Sequence, residues 1–187
     1  MSSPGREATR AGSFGEHDEL TPIDRFGVWL SRRSLGRTVG GFEDLRVADV
    51  GCGFDARFVR SILDDVTSAT LVDISLAPDL IAHPKVRALE AALPDALTEI
   101  DDDTIDVTMC ISVLEHVWQH EATLAHLHRI TAPGGTVVVN VPSWWGKRAL
   151  EFSAFRLGLS PAAEMNDHKR YYDPRDLWPL LVRAGFV

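Results

Sequence analysis

Apolar positions recur along this chain in two rhythms that take turns. Ile23, Phe26, Trp29 and Leu30 repeat at helical spacing behind Thr21 and Pro22, which suit a helix cap and a first turn. Gly40-Gly41 breaks that run, and Arg46–Val50 then reads as a short, continuously apolar strand. Phe58, Val59, Ile62 and Leu63 mark one face of a second helix. Further strands are predicted over residues 69–72, 86–89 and 105–111, with a helix over 114–129. Pro133-Gly134-Gly135 is a turn leading into a β-branched fifth strand over 136–141. A last helix is bracketed by Asp173-Pro174 and Gly185. Pro179 lies inside it, so it is either kinked there or starts near Asp176. Strands alternating with helices predict parallel βαβ units, a doubly wound α/β sheet with helices on both faces.

Composition changes this picture little. The 187 residues fit one domain, with 45% hydrophobic and 25% charged residues. We expect a mobile tail over 1–20, a folded domain over 21–187, and an irregular insert on the acceptor side at about 143–173. No apolar stretch approaches the ~20 residues that span a bilayer, and residues 1–20 lack the apolar middle of a signal peptide, so the expected location is cytoplasmic. A net charge of −8 argues against broad nucleic-acid binding. Cys52 and Cys110 close apolar runs and read as packed thiols rather than a disulfide. Asp101-Asp102-Asp103 reads as a solvated turn. His116 and His120 could share a helix face, but no third ligand has matching spacing, so no metal is expected.

The candidate chemistry sits where the strands end. The first strand runs into Asp49-Val50-Gly51-Cys52-Gly53, and the second ends at Asp73-Ile74. In a parallel sheet this makes a nucleoside crevice. Glycines let the backbone approach the ligand, and a carboxylate accepts hydrogen bonds from ribose hydroxyls. A dinucleotide site needs a third small residue and a helix N-terminus open to pyrophosphate, but Asp55 occupies that neighbourhood. Its carboxylate would repel phosphate, or could cap the helix amides that phosphate would use. A ligand with cationic centres and no phosphate, S-adenosylmethionine (SAM), suits it better than NAD.

In order along the chain, these segments resemble the class I SAM-dependent methyltransferases, particularly their small-molecule branch. Asp49-Val50-Gly51-Cys52-Gly53 is similar to the first motif and Val72-Asp73-Ile74-Ser75 to the second. Asp106-Val107 through Ser112-Val113-Leu114-Glu115-His116-Val117 resembles the fourth-strand motif. Leu127 to Thr136 resembles the approach to the fifth strand, and Arg183-Ala184-Gly185-Phe186 the approach to the sixth. The resemblance implies SAM as cofactor. Gly51 and Gly53 would lie along its methionine portion with Asp49 near the amino group. Asp73 would hold the ribose, Ile74 would pack on the adenine, and Ser112 and Val113 would border the sulfonium side. Two positions depart from the family: Asp55 stands where a small residue is usual, and Ala91-Ala92-Leu93-Pro94 offers no acid beside the adenine, so the backbone near Leu93 is the substitute. The family's sheet has seven strands. This chain supplies five and the start of a sixth, so the expectation is a Rossmann-like sheet with its C-terminal strands missing or truncated. Its fifth strand is then an exposed edge prone to association, for instance as a homodimer.

The expected reaction is methyl transfer to a small-molecule acceptor, more readily at oxygen than at carbon or nitrogen. The acceptor could be a sugar, a glycolipid precursor or a secondary metabolite. A hydroxyl acceptor needs a base, for which His116 and His168 are the candidates. The competing roles are pocket shaping for His116 and a surface helix cap for His168. Trp144 and Trp145 could wall an acceptor ring or pack in the core. Two alternatives to catalysis by methyl transfer are a silent SAM-binding or assembly protein and an NAD-dependent oxidoreductase.

Overall fold

The computed structural model describes residues 22–141 and 172–187. The apolar runs form strands β1 (Arg46–Val50), β2 (Ser68–Asp73), β3 (Val86–Glu90), β4 (Ile105–Ile111) and β5 (Thr131–Asn140). They pair in parallel, in the order β3-β2-β1-β4-β5. Because β1 is central, the order in which the chain adds strands reverses across the β1–β4 boundary. That boundary is the crevice where such sheets bind ligands.

Side chains alternate across the sheet and feed two separate cores. Val47, Leu71, Val107 and Met109 pack with Val59, Ile62 and Leu80, and with Leu35 and Val39 of helix α1 (Pro22–Val39). Val59 belongs to helix α2 (Arg57–Arg60) and Leu80 to α3 (Pro78–Ile81). On the opposite face, Ala48, Val50, Val72 and Cys110 pack with Leu124, Leu127 and Ile130 of α4 (His120–Ile130), and with Leu177 and Leu181 of α5 (Pro174–Ala184). Full burial of each large aliphatic side chain contributes about 1.5–3 kcal/mol. The helices therefore cover both faces, as a doubly wound sheet requires.

Several local expectations change. The helix predicted over 114–129 begins only at His120. Leu114–His116 is a separate 3-10 turn, and Gln119 stands at the N-cap. His116 and His120 therefore do not share a helix. The apolar face of residues 58–63 yields only the single turn of α2, followed by turns that still bury Ile62 and Leu63. The turn at Pro133-Gly134-Gly135 is absorbed into β5 as an irregularity, because the register jumps from Ile105↔Thr131 to Val107↔Thr136. Helix α5 starts at Pro174 under a reciprocal Asp173–Asp176 capping box and runs through Pro179. Both cysteines are free thiols. The tail over 1–20, most of the insert over 143–173, and with it His168, Trp144 and Trp145, lie outside the described residues. Among the described residues no helix is long and apolar enough to cross a membrane.

Candidate functional site

Three adjacent strand ends meet around Gly51. Gly51 and Gly53 both adopt positive φ, 77° and 74°, a conformation glycine reaches without a Cβ penalty. A Cβ on Gly51 would also stand 2.9 Å from Val113 Cγ1 and 3.1 Å from Val113 Cβ, with Cγ2 closer still. Val113 follows the exposed Ser112, itself left-handed at φ 56° and held by its amide donating to the Asn140 carbonyl (2.9 Å). The loop after β1 and the turn after β4 are thus packed backbone against side chain.

Asp73 ties the same loop to β2. One carboxylate oxygen accepts from the Gly53 amide and the other from the Ile74 amide, each at 2.7 Å. The Gly51 amide donates to the Val72 carbonyl (2.7 Å), and the Cys52 amide to the same carbonyl (3.4 Å). The amides of Gly51, Cys52 and Gly53 are therefore already committed within the chain. A carboxylate offers about four acceptor positions, and this one stands at the carboxyl end of β2.

Asp55 plays a different part from the one expected. It caps no helix. The N-cap of α2 is Ala56, left-handed at φ 41° and without a side-chain cap. The Asp55 carboxylate stands 3.8 Å from both Arg57 and Arg60, and Arg60 also makes a paired contact with Asp79 (2.6 and 2.9 Å). Its charge is shared with guanidinium groups. The structure thus sets aside the cap role of Asp55 and pairs its carboxylate with Arg57 and Arg60.

Asp49 is buried on β1, only 6% exposed. Burial pushes its carboxyl up to about 7, and the charge of Asp73 adds to the rise. Burial likewise raises the Cys52 thiol, with Asp49 and Asp73 as further causes. Such a carboxyl is stabilised as an anion when a cation arrives beside it. The cradle therefore fits a ligand with ribose hydroxyls and cationic centres and no phosphate.

Two carboxylates missed by the sequence reading belong to this neighbourhood. Glu90 closes β3 in register with Asp73, and its Oε1 accepts from the Leu76 amide (2.8 Å), bracing the loop after Ile74. Its place as the last residue of a strand beside Asp73 was the available signal. Glu115 lies in the turn after β4, 1% exposed, and burial raises its carboxyl to about 7, opposed by its own backbone amide. Leu93 joins Pro94 through a cis bond and packs half-buried against the second core. His116 is half-buried in the 3-10 turn, at the carboxyl end of β4.

These raised carboxyls have a stability consequence. Between the ordinary carboxylate range near 4 and about 7, the folded chain holds protons on Asp49 and Glu115 that the unfolded chain has lost. Their contribution to stability is complete below that window and is lost as pH rises through it. Asp79 and Asp106, lowered mainly by hydrogen bonds from Arg60 and Arg46, act in the opposite sense but below the ordinary range. The ligand-free protein is expected to melt higher at about pH 5.5 than at about pH 8, and Asp49→Asn should shrink the difference. A melting temperature that climbs across this window in the wild type would contradict the assignment.

The chain is similar to known methyltransferases. The model of the family described as a methyltransferase domain matches residues 23–187. A probable S-adenosylmethionine-dependent methyltransferase of Mycobacterium tuberculosis is 24% identical over 148 residues, 78% of this chain and 49% of the relative. The chain thus spans about half the length of that curated relative. A ubiquinone biosynthesis O-methyltransferase of Escherichia coli is 24% identical over 190 residues, 96% of this chain and 77% of the relative. Among solved structures, a SAM-dependent methyltransferase from Archaeoglobus fulgidus superposes with a TM-score of 0.59 at 19% identity, covering 86% of this chain and 69% of that one, a likeness of fold.

Proposed function

This chain belongs to the class I SAM-dependent methyltransferases, and we propose that it transfers a methyl group from SAM to an oxygen of a small-molecule acceptor. The observation that carries the reading is the cradle at the ends of β1, β2 and β4. Its loop amides are spent internally, and the carboxylates of Asp73 and buried Asp49 at the strand ends support a ligand with a ribose and a cation. The bound cofactor would supply an electrophilic methyl group on a sulfonium.

Within this reading, Asp73 accepts from the ribose hydroxyls while its other lone pairs hold the loop. Asp49 faces the ammonium of the methionine portion, which lies along Gly51 and Gly53. Ile74 packs on the adenine, and Leu93 borders it from the far side. Ser112 and Val113 flank the path by which an acceptor approaches the methyl group. Holding the acceptor in line behind that group contributes much of the rate, since orientation alone can remove about 7–11 kcal/mol of barrier. A hydroxyl acceptor must also shed a proton. His116, at the end of β4, or His168 would take it, as an imidazole titrates near pH 6.5.

The choice of oxygen draws support from the O-methyltransferase among the relatives. A sugar, a glycolipid precursor or a secondary metabolite each fits a site of this kind. Calorimetry with SAM and S-adenosylhomocysteine tests the cofactor, and absence of binding by the full chain would sink the proposal. The two histidines are separated by His116→Ala and His168→Ala, assayed by transfer of labelled methyl to hydroxylated small molecules. The base is the histidine whose removal lowers turnover roughly 100-fold while SAM affinity holds. If neither change affects turnover, the acceptor needs no histidine base.

A further inference from the structure

Among the described residues, β5 is an edge of the sheet and pairs with β4 alone. The Asn140 carbonyl accepts from the Ser112 amide (2.9 Å), so Asn140 turns its backbone groups toward β4. Those groups alternate in direction along a strand, and Val137 and Val139 therefore turn theirs outward. Over 136–140 the strand holds no charge and no proline, the residues that keep a bare edge from pairing.

Beside this edge runs a groove of about 690 Å³, lined by Val137 and Val139 of β5 and by Leu177, Trp178, Leu181 and Val182 of α5. Trp178 and Val182, one helical turn apart, are 64% and 52% exposed, and β5 is only half-buried over 136–139. An apolar surface of this continuity marks an interaction site. Its two ends differ in charge. Helix α4 runs from the carboxyl end of β4 back to the start of β5. Tyr172 meets His120 and Phe186 meets His128, so α5 lies alongside α4 and runs opposite to β5. Arg175, exposed in the first turn of α5, therefore stands toward the carboxyl end of β5. Asp103, also exposed, lines the groove at the other end, beside Pro133 and Gly134.

We propose that this edge and groove form a two-fold interface with a second copy of the chain, the two β5 strands pairing antiparallel in one continuous sheet. The surface is complementary to itself. A two-fold axis perpendicular to the sheet reverses the strand and keeps each face on its own side, so the outward backbone groups find partners of the same kind. The same axis exchanges the ends of the groove, which carries Arg175 toward the partner's Asp103, and it covers Trp178 and Val182 with the partner's α5. A net charge of −8 tends to hold copies apart, but Asp103 and His128 are the only titratable side chains among the described residues that line the groove. The pairing uses no residue of the strand-end cradle and is independent of the SAM reading.

Sedimentation velocity on the full chain, over a dilution series at moderate salt, tests the proposal. The wild type is expected to sediment as a dimer that dissociates on dilution. Arg175→Glu and Asp103→Arg each replace attraction by repulsion at both ends of the interface, and each should weaken the dimer roughly ten-fold. Mixed in equal amounts, the two variants regain opposite charges at both ends and should form a heterodimer of near wild-type affinity. Val182→Glu, at a position exposed in the single chain, should abolish the dimer by burying a charge there. A wild type that stays monomeric throughout overturns the proposal, as do open-ended oligomers, because a two-fold interface closes at two copies. A dimer that all three variants leave intact also overturns it, and so does a mixture of the charge variants that associates no better than either alone.

Discussion

Asp73→Ala is expected to weaken SAM binding by roughly 100-fold or more, the larger of the two strongest effects foreseen for this chain. Two losses combine. The ribose hydroxyls lose charged acceptors, each worth about 1.5–3 kcal/mol. The amides of Gly53 and Ile74 also lose the carboxylate oxygens that now receive them at 2.7 Å, so the loop after β1 is no longer tied to β2. Asp73→Asn separates these contributions. Its amide oxygen can keep one backbone amide, but it presents an NH2 group where the second acceptor stood. Calorimetry should rank wild type above Asn and Asn above Ala. A folded Asp73→Ala protein that binds SAM with wild-type affinity would remove Asp73 from the cofactor site.

Gly51→Ala should damage the protein as a whole. At φ 77° an alanine costs about 1–2 kcal/mol in left-handed backbone, and its Cβ runs into Val113. Overpacking of this kind adds about 1–3 kcal/mol. The sum, about 2–5 kcal/mol, corresponds to a melting temperature lower by roughly 10 °C for a chain of this size. SAM binding should fall with it, because the displaced turn carries Ser112 and Val113. The double change Gly51→Ala with Val113→Ala opens the space but leaves the backbone cost, so it should recover about half of the lost stability. If the single substitution melts like wild type, the close approach of the two segments is wrong.

These predictions draw unequally on what the residues announce locally. The strands β1 and β4 lie where their apolar runs place them, since a run bounded by polar turns has few other ways to bury itself. The glycines and Asp73 were legible for the same reason: each stands at the end of such a run, where a parallel sheet gathers its ligand-binding residues. Helix ends were less legible. Residues 114–119 carry helical spacing, yet Val117 adopts an extended conformation and α4 waits for His120, because the turn is shaped by Val113 against a glycine 62 positions earlier. No local pattern reports that contact.

Asp55 shows the same limit from the side of charge. Its proximity in sequence to the glycine loop suggested a cap or a barrier to phosphate, but Arg57 and Arg60 share its charge and Ala56 takes the cap position. Glu115 is the converse case. In the sequence it is one charged residue in a helical-looking segment, and only the folded chain makes it a buried carboxyl with one oxygen unpartnered among the described residues.

By itself, then, the sequence determined the alternating strands and helices, the order of the motifs and the carboxylates at the strand ends, because these follow from periodicity and from residue type at the ends of apolar runs. The tertiary structure alone decided which loop amides are already spent, how deeply Asp49 and Glu115 are buried, and that Val113 closes over Gly51. Hydrogen-bond partners and desolvation are set by residues distant in the chain, and those meet only when the sheet has formed.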